Sequence, residues 1–291
     1  MAKSPSHRFG QIIGEILESA IHPALEAIAK EHGLYLDAKR PRQARQGKRK
    51  VAWKDDKGNT HDLDYVLERG GTEDQLGSPK AFVEIAWRRY TKHSRNKAQE
   101  IQGAIIPLAE SYHNAHPFLG VVLGGEFTSG SLAQLRSHRF TVLHFPYPSV
   151  VAAFKSVGID AAFDEETPDA QLLKKVQQYE QLPEKKKLQI AIALRKRHQK
   201  DLDAFTASLR VALTRTIDSI YVMSLHGTMR TLRDITQAIA YIETVNETQP
   251  GDRFVRYEVG VRYSNGDEIR GQFEDKAKAI QFLSGMRKEQ A

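Results

Sequence analysis

Ala81-Phe82-Val83-Glu84-Ile85-Ala86-Trp87 decides the fold, and it runs directly into the basic segment Arg88-Arg89-Tyr90-Thr91-Lys92-His93. The stretch reads as a short apolar strand, with Phe82, Glu84 and Ala86 on one face and Val83, Ile85 and Trp87 on the other. Upstream, Leu63-Asp64-Tyr65-Val66-Leu67-Glu68 has the same character. Val51-Ala52-Trp53-Lys54 precedes it across the turn signal Lys57-Gly58-Asn59, which predicts a hairpin. Downstream, Ser94 is placed as the N-cap of a helix over 94–112, with Ile101, Ala104, Ile105 and Leu108 as its apolar face. Phe118-Leu119-Gly120-Val121-Val122-Leu123 is continuous enough for a strand buried on both faces, and 140–145 is similar, with a short helix over 131–137 between them. Strands alternating with helices in this order imply an α/β class, a mixed central sheet flanked by helices.

The flanking regions are read from their periodicity. Residues 10–32 have helical spacing, and Pro23 predicts a kink or a break into two helices. Residues 38–50 carry seven Lys and Arg with almost no apolar residue, either a solvated loop or, as favoured here, an arm that tracks phosphates. Residues 146–169 are punctuated by prolines around a helix at 150–157. A long helical stretch follows over 170–213, and its basic clusters at 185–187 and 195–197 read as a solvated face. The last third repeats itself: 219–227 parallels 258–266, and 236–242 parallels 277–283, a hairpin-helix unit used twice. The expected division is a core over 1–165, a helical connector over 166–214 and a duplicated ββα domain over 215–291.

Asp64 and Glu84, one acid on each of two neighbouring strands with cations close behind, suit a divalent metal held against a phosphodiester. Mg²⁺ prefers carboxylate oxygens and retains waters, so two acids and a phosphate can complete its shell. The simpler reading is two half-buried acids beside a solvated loop. Asp62 is the alternative first acid. Lys97 falls on the apolar face of its helix one turn before Ile101, from which it either snorkels to solvent or reaches the carboxylates. Arg88, Arg89, Lys92, His93 and Arg95 are placed along a DNA backbone, with a solvated loop as the competing reading. Lys and Arg number 43 against 36 Asp and Glu, a net charge of +7 that fits a double-stranded DNA partner. Without cysteine there is no disulfide, thiolate zinc site or cysteine nucleophile. The polar segment 1–9 and the lack of any long apolar run lead to the expectation of a cytoplasmic protein that does not engage a membrane.

These residues resemble the PD-(D/E)XK nuclease superfamily, which includes the type II restriction endonucleases. The resemblance covers roughly residues 10–145: an N-terminal helix carrying an acid, the hairpin with Asp64, the strand with Glu84 and the helix after it. It implies a restriction-endonuclease-like core and a Mg²⁺-dependent DNA endonuclease of restriction or phage-defence type. Asp64 and Glu84 would be the metal ligands, a homodimer is expected, and the C-terminal region would aid recognition or dimerisation. The superfamily places a lysine two residues after the second acid, where this chain has Ala86. Lys97 from the following helix is the expected substitute, with Lys92 a weaker one. Ala86 otherwise marks an inactivated enzyme or a non-catalytic DNA-binding protein on the same scaffold.

Overall fold

The computed structural model describes residues 4–224, 229–248 and 254–290, with side chains up to residue 287. The turn of the first repeat unit, Leu225-His226-Gly227, lies outside the described residues, as do the first three residues of the polar N-terminal segment. The chain forms two compact units, one of Met1–Tyr112 with Pro117–Arg210 and one of His113–His116 with Val211–Ala291.

The larger unit begins with α1 (Pro5–Glu31), started by Ser4, whose Oγ accepts the His7 N–H at 3.3 Å, with Pro5 in the first helical position. The expected break at Pro23 does not occur. Pro23 and Ser19, whose carbonyl loses its partner, are both exposed, so water can take the freed oxygen. Ala20, Ile21, Leu25 and Ile28, all buried on the opposite side, hold the helix continuous.

Five strands follow: β1 (Tyr35–Ala38), β2 (Val51–Lys54), β3 (Thr60–Leu63), β4 (Tyr65–Arg69) and β5 (Ser78–Arg88). The segment read as one strand over 63–68 divides at Asp64. β3 pairs only with β2 in a two-stranded sheet, while β4 enters the central sheet. After β5 come α2 (Ser94–Ser111), β6 (Phe118–Gly125), α3 (Ser129–Ser137) and β7 (Thr141–Pro146). The central sheet is mixed, in the order β1-β4-β5-β6-β7, with β1 and β5 antiparallel to β4 and with β5, β6 and β7 parallel. Its two faces are covered differently. Val66, Phe82, Ala86, Leu119, Val121 and Leu123 pack under α2, α3 and the β2–β3 ribbon. Helix α1 lies over the other face, closely enough that a methyl added at Gly124 would stand 2.6 Å from Leu17 Cδ1.

The rest of the unit is helical: α4 (Tyr147–Lys155), α5 (Asp169–Glu180), α6 (Glu184–Arg197) and α7 (Gln199–Thr214). The helical stretch expected over 170–213 is three helices. Pro183 is the N-cap of α6, and His198 ends it. α5 and α6 pack on α1, and α6 also packs on α4, so they belong to the larger unit and do not form a free connector.

The smaller unit carries β8 (Ile217–Ser224), β9 (Arg230–Leu232), α8 (Ile235–Thr244), β10 (Tyr257–Tyr263), β11 (Glu268–Phe273) and α9 (Lys276–Gln290). The strands form an antiparallel sheet in the order β11-β10-β8-β9, as two hairpin-helix units joined through β8 and β10. Ile220, Val222, Val259 and Val261 make one core with Ala238, Ile242, Ala279 and Leu283 of the two helices. On the opposite face Tyr221 lies across Gly260, where any Cβ would stand 2.1 Å from the ring.

The basic segment 38–50 is not an arm. Arg42 is fully buried: it grips Glu68 through two hydrogen bonds of 2.6 and 3.1 Å, pairs with Asp37 at 2.9 Å and stacks under Tyr35. Arg45 closes the same group on Asp37 at 3.0 Å and binds the carbonyls of Ala38 and Arg40. Lys50 is exposed and pairs with Asp62. Removing one member of a buried ionic group strands the others. Arg42→Met is therefore expected to cost about 3–5 kcal/mol in urea denaturation, whereas Lys50→Ala should cost less than about 1 kcal/mol.

Candidate functional site

Asp64 stands in the bend between β3 and β4, one residue beyond the Tyr65–Val83 pair, which brings it beside Glu84 of β5. One hydrogen bond fastens Asp64 to β5: the Ile85 N–H donates to Asp64 Oδ2 at 2.6 Å. Glu84 lies on the strand face of Phe82 and Ala86, toward α2, and its Oε2 is sealed from solvent with no hydrogen-bond partner. Burial pushes the Glu84 carboxyl up to about 8, and the Asp64 charge adds to the rise. Lys97, Lys39 and the Asp64 backbone only partly oppose it.

Lys97 comes from the first turn of α2. It is half-buried, and its ammonium pairs with Glu100 at 3.2 Å, so it acts on Glu84 through its charge. Ser94 is not the N-cap of this helix; it is the first helical residue, buried, and its Oγ donates to Thr91 O at 2.8 Å. Ala86 is packed in the apolar core with Ala98 and Ile101, so position 86 is part of the sheet–helix contact.

Two residues of the site were not singled out in the sequence. Lys39, just past β1, places Nζ 2.5 Å from Asp64 Oδ1 and 3.0 Å from Glu18 Oε1. Burial opposes the Lys39 charge, but Asp64 and Glu18 outweigh it and raise its pKa. Glu18 is the acid that α1 contributes here, while Glu15 is exposed and pairs with Arg8 at 2.9 Å. Glu18 carries a weak signal, as it flanks the apolar stripe three residues before Ile21. Lys39 carries none, being one of seven cations in its segment. Asp62 is no alternative first acid, since it is exposed on the β2–β3 ribbon and bound to Lys50.

The five basic residues after β5 separate. Arg89 is turned inward: its Nε donates to Phe163 O at 2.7 Å, and its guanidinium lies 3.8 Å from the centre of the Tyr147 ring. It ties the 158–168 segment to the end of β5 and is not presented to a phosphate. Arg88 donates to the Trp87 carbonyl and pairs weakly with Glu100 at 3.5 Å. Lys92 pairs with Glu165 on the surface. His93 and Arg95 are exposed, and neither pairs with an acid among the described residues.

No group of three or more Asp, Glu or His among the described residues is arranged as a metal cage. The Asp64–Glu84 pair nonetheless fits a hard divalent cation. Glu84 Oε2 is an orphaned buried acceptor beside a second carboxylate, and Mg²⁺ is commonly held by one or two carboxylates with water and substrate phosphate completing its shell. No protein-family model, curated protein or solved structure matches the chain.

The raised Glu84 pKa fixes a pH dependence. The folded state holds this proton more tightly than the unfolded chain, so the contribution is fully present below the ordinary glutamate range and is lost as pH rises toward 8. Glu84→Gln should match the parent near pH 4 and be the more stable by roughly 2–4 kcal/mol near pH 9, since each tenfold change in proton affinity carries about 1.4 kcal/mol. Urea denaturation at the two pH values checks this; an equal difference at both contradicts it.

Proposed function

We propose that the chain is a Mg²⁺-dependent DNA endonuclease built on a restriction-endonuclease-like core. The observation that carries the reading is the Asp64–Glu84 pair with its orphaned, solvent-shielded Glu84 oxygen. A bound Mg²⁺ would polarise the scissile phosphate and lower the pKa of a water. Asp64 and Glu84 would hold it, and the backbone bond from Ile85 would keep the Asp64 carboxylate oriented before substrate arrives. Lys97 would supply positive charge where the phosphate gains negative charge in the transition state. Arg95 remains as an exposed cation for backbone contact, with the exposed His93 ring and Arg88 nearby in sequence. The net charge of +7 is consistent with the same substrate.

A second reading, a DNA-binding protein without cleavage, is favoured by Ala86, which leaves the superfamily's usual lysine position apolar. Supercoiled plasmid incubated with and without Mg²⁺ separates the two. The endonuclease reading expects Mg²⁺-dependent nicking or linearisation that Asp64→Asn and Lys97→Ala each reduce at least about a hundredfold. DNA binding should be little changed in Lys97→Ala, because one contact is a small part of a multi-contact interface. Plasmid retained in a gel shift but never cut would transfer the assignment to the second reading.

A further inference from the structure

Lys39 sits where a cation bound to Asp64 would have to come. Asp64 has two carboxylate oxygens and both are engaged, Oδ2 by the Ile85 N–H and Oδ1 by Lys39 Nζ at 2.5 Å. The same ammonium reaches Glu18 at 3.0 Å, so one flexible lysine joins an acid of α1 to the acid before β4. The rest of the pocket is short of positive charge: Lys97 is paired with Glu100, and Glu84 Oε2 has no donor. A backbone N–H fixed by the β4–β5 pairing cannot leave, whereas a lysine on a four-carbon stem, half-exposed and held only by the carboxylates of Asp64 and Glu18, can swing away from Asp64.

We propose that Lys39 is a built-in counter-cation that holds Asp64 and Glu18 together in the metal-free protein and competes with the divalent metal for Asp64 Oδ1. The inference rests on the metal-site reading above. Metal entry then displaces the ammonium toward Glu18 or solvent, and the apparent metal affinity is weakened by the ion pair that has to be broken. Without Lys39 the metal-free site has two carboxylates and a buried acid with less neutralising charge, which destabilises that state and favours the metal-bound one.

Mn²⁺ binding measured by calorimetry on the full chain tests this, with Lys39→Met removing the charge while keeping the stem and Lys39→Arg keeping the charge. The expected result is Mn²⁺ affinity about tenfold tighter in Lys39→Met than in the parent, with Lys39→Arg close to the parent. The metal-free melting temperature of Lys39→Met should fall, and its rise on adding Mn²⁺ should exceed the parent's. Mn²⁺ binding by the parent that is equal or weaker in Lys39→Met overturns the competition and leaves the metal site standing. No Mn²⁺ binding by either protein overturns the metal-site reading and the proposal with it. Should Lys39→Met fail to fold, ¹³C-methylated lysine NMR of the parent decides, with Lys39→Arg assigning the signal: a Lys39 signal that shifts on Mg²⁺ addition supports displacement, and one that stays fixed while Mg²⁺ binds overturns it.

Discussion

Carboxylates carried into the antiparallel side of the central sheet must find positive charge, and the larger unit is organised around how completely each finds it. Asp37 of β1 and Glu68 of β4 are fully buried and are matched in charge by Arg42 and Arg45, two acids to two guanidiniums, although the buried Arg45 Nε has no hydrogen-bond partner among the described residues. That group lies at the outer edge of the sheet and is balanced in charge. Asp64 and Glu84 lie nearer the sheet centre; Asp64 is held by the Ile85 N–H and the half-exposed Lys39, and Glu84 retains an oxygen with no donor. A buried polar group left unsatisfied costs of order 1–3 kcal/mol. Within a single sheet, one ionic group has each acid paired with a guanidinium and the other leaves Glu84 with no cation in contact among the described residues. This contrast is why we propose a ligand for the second and a structural role for the first.

The open group is also where the chain changes partner sheets. The bend at Asp64 takes the chain from the β2–β3 ribbon to β4. An acid there is held from three directions: by β5 through Ile85, by the end of β1 through Lys39 and, through Lys39, by α1. A strand running unbroken from Leu63 to Glu68 would place the same side chain on one face of the sheet only. The position of Glu84 follows from ordinary alternation along β5, which sets it between Phe82 and Ala86 on the face that α2 covers, within electrostatic reach of Lys97.

Much of the fold was legible because its strands are apolar and its helices periodic. α2 follows from its pattern almost to the residue, β5 and β6 follow with ends read one to three residues short, and the hairpin-helix duplication follows from alternation ending at a turn. β1 was not legible: Tyr35-Leu36-Asp37-Ala38 is four residues long with a carboxylate at its most buried position, and only the distant Arg42 and Arg45 make that tolerable. The continuity of α1 through Pro23 was not legible either. A proline's effect depends on whether its side of the helix faces water, which periodicity does not report. Of the site, Asp64, Glu84 and Lys97 were visible as charges on otherwise apolar elements. Lys39 was hidden among equals, and Arg89 read as a surface cation because nothing local signals that Tyr147 and Phe163 fold back over it.

The most direct test of the central claim is a site-resolved NMR titration of the Glu84 carboxyl carbon, with and without Mg²⁺. The account predicts a metal-free midpoint near 8 that falls toward or below the ordinary glutamate range when Mg²⁺ is present, because the metal supplies the charge the site lacks. A midpoint in the ordinary range that does not respond to Mg²⁺ would mean that Glu84 is solvated in solution and that the open carboxylate pair is no metal site.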